Sequence, residues 1–103
     1  MIGWVRERRR RRAEAREAAL VEEFVVVGAD GGEPLAVVFE PMGSEYEVPA
    51  GEYLTVRFKS PPGSSGSVEQ RSDYLSACPA LSGTMTAWTA DGDEIDLITG
   101  CPW

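Results

Sequence analysis

Four carboxylates fall within six residues in Asp91-Gly92-Asp93-Glu94-Ile95-Asp96, the nearest approach to a cation site in this chain. Calcium takes several hard oxygens at close spacing, but the EF-hand order wants its glycine sixth, and here glycine stands second. The other reading of the same residues is a hairpin turn with its acids in solvent and with Ile95 and Leu97 facing inward. That reading is preferred, and no metal ligand is assigned. Nucleophilic catalysis needs a nucleophile beside a base. Serines stand at 44, 60, 64, 65, 67, 72, 76 and 82, yet the chain has no histidine to activate any of them. Lys59 and Ser60 are adjacent, which on a strand points them to opposite faces. Cys78 and Cys101, each followed by proline, lack a histidine partner as well. Glu45 and Glu47 would share one strand face, a spacing far commoner for surface acids than for a glycosidase pair. Gly28-Ala29-Asp30-Gly31-Gly32 lacks the Gly-Lys-Ser/Thr ending of a phosphate loop and reads as a turn. No catalytic residue and no cofactor is assigned, and the chain is expected not to be an enzyme.

The remaining chemistry is electrostatic. Residues 1–16 carry seven of the nine arginines, Arg6, Arg8 to Arg12 and Arg16, against Glu7 and Glu14, a balance of +5. Residues 17–103 carry Arg57, Lys59 and Arg71 against fifteen acids, a balance of −12, so the net −7 conceals two parts of opposite sign. A segregated arm of this kind engages a partner more often than it builds a core. Three roles stand open for it: docking on an acidic protein surface, its own or a neighbour's; binding a polyanion through residues 6–16; or remaining a solvated arm. The −12 body repels nucleic acid, which weighs against the second. Trp4 and Trp103 place aromatics at the two ends, where a ring is costly to leave wet and is favoured in interfaces. The expected partner-binding residues are therefore Trp4, Arg8, Arg9, Arg10, Arg11, Arg12 and Trp103.

The elements that must carry these residues follow from propensity and alternation. Apart from a single valine, Glu7 to about Glu22 consists of Arg, Glu, Ala and Leu, with no Gly or Pro, and is predicted to be a helix; Arg10 and Glu14 pair at i,i+4. Its arginines run around the whole circumference, so it has no apolar stripe to bury. Residues 1–22 are read as a basic helical arm and 23–103 as a β-domain. Phe24–Val27 and Leu35–Phe39 are apolar runs joined by the glycine-rich turn and are predicted to form a hairpin. Glu40-Pro41-Met42-Gly43 breaks the second run. Tyr46–Val48 is a short strand ended by Pro49-Ala50-Gly51. Tyr53–Phe58 alternates, with Leu54, Val56 and Phe58 on the core face. Ser60–Ser67 is predicted to be an exposed loop. A strand is expected at Val68–Gln70, with loop after it to Leu81. Thr84–Thr89 and Glu94–Ile98 are predicted to form a hairpin about Asp91-Gly92, with Trp88 in the core. The sum is a mostly β domain, an antiparallel sandwich or small barrel of six to seven strands behind a basic helix. No strand–helix alternation suggests a parallel sheet.

The stretch Val38–Phe58, with its Glu40-Pro41-x-Gly43-x-Glu45-Tyr46 and Pro49-x-Gly51, resembles a pattern in small actinobacterial β-domain proteins of unassigned function. An aromatic often stands there where this chain has Met42, and a later strand carries a tryptophan, matched by Thr86-Ala87-Trp88. The resemblance covers about half the chain, implies a small β-domain, and brings no activity. The Pro-x-Gly turn before an alternating strand also occurs in cupin-like rolls; metal-binding cupins use histidines, which are absent here.

At 103 residues the chain is long enough for one domain, with roughly 80 residues left for a core once the arm is set aside. Its 43% hydrophobic content is that of a globular protein. No apolar run approaches the ~18 residues of a membrane span. The basic opening is followed by acids rather than an apolar run, so a secretory signal is not expected and the location is read as cytoplasmic, with both cysteines reduced and at least partly buried. The absence of asparagine excludes N-glycosylation. The function expected is a non-enzymatic protein-binding module, or self-association, of which an immunity or antitoxin-like partner or an accessory subunit is one version. The alternatives are a nucleic-acid-associated protein that uses the Arg-rich arm and a structural subunit of a phage or bacterial assembly.

Overall fold

A computed structural model describes residues 19–102, and all of their regular structure is β. The strands are β1 (Val21–Gly28), β2 (Leu35–Phe39), β3 (Ser44–Val48), β4 (Tyr53–Ser60), β5 (Ser67–Gln70), β6 (Leu75–Cys78), β7 (Thr84–Thr89), β8 (Ile95–Asp96) and β9 (Cys101–Pro102). They form a three-stranded sheet β1-β4-β7, a four-stranded sheet β3-β2-β6-β5, and a short β8-β9 ribbon. Val27, Leu54, Val56, Phe58 and Ala87 from the first sheet meet Val37, Phe39, Val48 and Ala77 from the second in one core, closed by Ala29 and Ile95. Period-2 alternation produces it: β4 reads Leu54, Val56, Phe58 and Ser60 inward, with the residues between them turned out.

The expected β1–β2 hairpin does not form. β1 pairs antiparallel with β4, from Val21 opposite Ser60 to Gly28 opposite Tyr53, while β2 pairs with β3 and β6 in the other sheet. The glycine loop 29–34 therefore crosses between sheets. It is anchored by Ala29 donating to the Glu52 carbonyl and Gly51 donating to that of Ala29. β2 and β6 run parallel, Val37 opposite Leu75, so the second sheet is mixed rather than wholly antiparallel. β6 falls where loop was expected; its Leu75-Ser76-Ala77-Cys78 has small residues where a buried central strand has little room. Sequence counting gave six to seven strands, and seven have four or more residues; the two-residue β8 and β9 are additional. The Asp91-Gly92 turn is present, with Thr89 donating to Asp93 and a bridge from Trp88 to Glu94, but β8 then pairs with β9 instead of extending along β7. At the other boundary, Val21 and Glu22 begin β1, so no helix reaches Glu22; the predicted helix up to residue 18 lies outside the described residues.

Three glycines are fixed by close approach, among them Gly83, where a β-carbon would stand 2.7 Å from the Lys59 carbonyl oxygen. A β-carbon at Gly66 would overlap the ring of Phe58, and one at Gly100 would overlap the Glu45 backbone. The 60–67 loop is thus seated on the core at Gly66, and Ser64 closes a turn by donating to the Pro61 carbonyl from both its backbone N and its Oγ.

Ser60 is the flaw in the core. It is 3% exposed, at the inward end of β4, and its Oγ has no hydrogen-bond partner among the described residues. A buried hydroxyl without a partner carries a desolvation cost with no compensating bond. Ser60→Ala is expected to raise unfolding stability by about 1 kcal/mol, read as a shifted urea midpoint at unchanged slope. A loss of stability would show that the hydroxyl is satisfied.

Candidate contact surface

The residues that alternate out of the β1-β4-β7 sheet make a face unlike an ordinary solvent face. Register places them in rows across the sheet: Glu22, Lys59 and Thr84; Phe24, Arg57 and Thr86; Val26, Thr55 and Trp88; then Gly28 beside Tyr53. Phe24 is 59% exposed, Val26 65% and Tyr53 47%. Single exposed apolar side chains are normal, but three large ones with a tryptophan in adjoining rows form a patch.

Arg57 sits at the middle of this face. Its guanidinium carbon lies 5.1 Å from the centroid of the Trp88 ring, its Nη2 donates to Thr86 Oγ1 at 3.3 Å, and its Nη1 stands 3.5 Å from Glu22 Oε1. The ion pair is open to water and worth little by itself, at about 0–1 kcal/mol. Its effect is positional: with the ring contact and the Thr86 hydrogen bond it keeps the guanidinium over Trp88, and Arg and Trp are residue types enriched at binding hot spots. Arg57 Nε is buried and has no acceptor among the described residues. Trp88 was expected in the core. It is half-buried on the outer face instead, because Ala87 takes the inward position of β7 and the alternation turns Trp88 out. Phe24 and Val26 are likewise outward, although the run Phe24–Val27 reads as uniformly apolar.

The same sheet has an open edge. β4 is central and β7 is approached at Trp88 by Glu94, but β1 has β4 on one side and no strand on the other among the described residues. An eight-residue edge with outward Phe and Val is a template for another strand; proteins that avoid pairing place charges, above all lysine, or proline there, and β1 has no lysine or proline and carries its two acids, Glu22 and Glu23, near its start.

Charge divides the two ends of the sandwich. The connections 29–34, 49–52 and 90–94 lie together at the end where Gly28, Tyr53 and Thr89 meet. They bring Asp30, Glu33, Glu52, Asp91, Asp93 and Glu94 with no Lys or Arg among them. Tyr46 registers this: burial first, then Glu52 and Asp91, pushes its phenol above the usual tyrosine value. At the opposite end, an apolar cleft of about 260 Å³ lined by Ala19, Leu20, Pro61, Pro62 and Ser82 lies where the chain enters β1.

Of the residues expected to contact partners, Trp4, Arg8 to Arg12 and Trp103 all lie outside the described residues. The acids of 91–94 are exposed in their turn, Ile95 is buried and Leu97 packs on the core. Among the described residues, no three or more His, Cys, Asp or Glu side chains gather in a way that could hold a metal ion. Both cysteines are free; Cys78 is half-buried, but Cys101 is exposed rather than partly buried as expected. No helix among the described residues is long and apolar enough to cross a membrane. No protein-family model, curated protein or solved structure matches this chain.

Proposed function

We propose that this protein is a non-enzymatic protein-binding module whose contact surface is the outer face of the β1-β4-β7 sheet. The observation that supports this is the group formed by the exposed Phe24, Val26 and Tyr53 and the half-buried Trp88 around Arg57. Aromatic and Arg side chains on a sheet are the anchors that dominate protein interfaces, and a polar rim of Thr residues suits them. The Arg-rich segment 6–16 acts as a second, electrostatic element for an acidic partner surface. An antitoxin-like or accessory-subunit role is one form of this reading. The nucleic-acid reading rests on one observation, the +5 balance of residues 1–16, and is opposed by the fourteen acids against three cations in residues 19–102.

Affinity capture from the source cell, with and without nuclease, tests both. The wild type is compared with Trp88→Ala and with a chain in which Arg8 to Arg12 are replaced by Gln. A protein that survives nuclease and is lost with Trp88→Ala supports the proposal; the expected weakening is about 30-fold or more. A protein retained at full yield by Trp88→Ala overturns the assignment of the face. Nucleic acid recovered by the wild type and lost with the arginines would put the second reading first.

A further inference from the structure

We infer that the partner of the β1 edge is a second copy of this chain, joined by antiparallel pairing of β1 with β1 about a two-fold axis at Val25. The inference rests on the reading of this sheet as a protein-contact surface and assigns its open β1 edge, while the outer face stays free for the proposed partner. Strand parity limits the register: an axis between two residues would set Phe24 opposite Val25 and turn the apolar face of one copy against the core face of the other. An axis on Val25 keeps the faces continuous. Phe24 of each copy then opposes Val26 of the other, an aromatic–β-branched cross-strand pair made twice. Glu22 opposes Gly28 and Glu23 opposes Val27, so no two acids face each other along the seam. The result is one six-stranded sheet with both apolar faces on the same side.

Charge complementarity selects a copy of this chain over an unrelated strand. Within one chain, β1 runs away from the end where the basic segment enters and towards the end that carries Asp30, Glu33, Glu52, Asp91, Asp93 and Glu94. Strand rise separates the two ends by about 26 Å over eight residues. Antiparallel pairing reverses this. Leu20 and Ala19 of one copy come beside Asp30 and Gly31 of the other, so the point where the basic sequence joins the described chain lies at the neighbour's acidic end. This happens on both sides of the axis and offsets the repulsion between two acidic bodies. Two separate features of the sequence, the basic arm and the lysine-free edge, are thereby used by one contact.

The test is the mass of the full-length protein in solution by sedimentation equilibrium, up to concentrations on the order of hundreds of micromolar. The wild type is expected to be a dimer. Val26→Lys and Phe24→Lys, both at exposed positions, are expected to weaken it by about a hundredfold and leave a folded monomer with an unchanged strand signal in circular dichroism. Replacing Arg8 to Arg12 by Gln is expected to weaken it by about tenfold. A wild-type monomer throughout overturns the inference, as does a dimer indifferent to Val26→Lys. In the first case, capture of a different protein that is lost with Trp88→Ala would leave the outer contact face standing and only the edge pairing wrong. A register test is independent of affinity: Phe24→Cys mixed with Val26→Cys should cross-link on oxidation, and neither should cross-link with itself. Equal self-linking would overturn the axis at Val25.

Discussion

Gly66→Ala is expected to cost about 3 kcal/mol, a large share of the stability of a domain this small. A β-carbon at 66 would stand 2.6 Å from Cε1 of Phe58 and closer still to Cδ1 and Cγ. The obstacle is not the far end of a flexible side chain. Phe58 is 1% exposed and sits between both sheets, so its ring can yield only by displacing other core side chains. Gly66 does not have a positive φ, so backbone strain contributes nothing and the effect is one of packing alone. That permits a clean cycle. Phe58→Leu removes the ring edge at a cost of about 1–2 kcal/mol, and the added methyl then has room. The double variant should cost less than the sum of the singles by at least about 1 kcal/mol in urea melts, the coupling expected of residues in contact. Strict additivity would show that the loop moves aside instead, and that Gly66 is a turn residue and not part of the core wall.

The same loop shows where local reading stops. Ser60–Ser67 has the composition of a linker, and only the neighbouring Phe58 ring, placed by β4, makes Gly66 a core contact. Elements whose signal lies in their own residues were legible: the alternation of β4, the short β3 ended at Pro49, the turn at Asp91-Gly92, and Val68–Gln70. Pairing was not. Phe24–Val27 and Leu35–Phe39 look like two arms of a hairpin because a glycine turn separates them, yet the turn only carries the chain across the sandwich, and β1 finds its partner twenty-five residues further on. A parallel partner for β2 was equally hidden, since β6 is short and built of small residues. For the contact surface, the sequence offered arginines and terminal tryptophans, which are conspicuous by type. Phe24, Val26 and Trp88 were missed because an apolar residue in a strand reads as core until register assigns its face. Stricter use of alternation could have found them: with Val27 inward, Val26 and Phe24 must alternate with it across the pleat.

Gly100→Ala tests how the protein manages its other exposed strand. Gly100 has φ 77°, and a β-carbon there would lie 3.0 Å from the carbonyl carbon of Glu45 and nearer to its oxygen. Two costs add. The left-handed backbone is worth about 1–2 kcal/mol for a residue with a side chain, and the overlap is with main chain, which no rotamer change relieves. The turn after β8 can escape both by leaving β3. That sacrifices the Ser44 Oγ donation to the Leu97 carbonyl and part of the burial of Ile95, together about 2–4 kcal/mol. Because detachment costs no more than enduring the overlap, the expected result is local release. Amide exchange should accelerate by about 30-fold or more over 97–101, with the β4 amides nearly unchanged. Unchanged protection of 97–101 would mean that the backbone of Glu45 adapts. Release has a second consequence. β3 is an outer strand of its sheet, and in the native fold the 97–100 turn lies against it, whereas β1 has no such cover among the described residues. Gly100→Ala therefore exposes a second edge beside the first. If β1 is the pairing edge, the variant should grow beyond the dimer into larger assemblies, and adding Val26→Lys should stop the growth at pairs joined through β3. The cover that Gly100 permits is thus what would keep β3 out of the assembly.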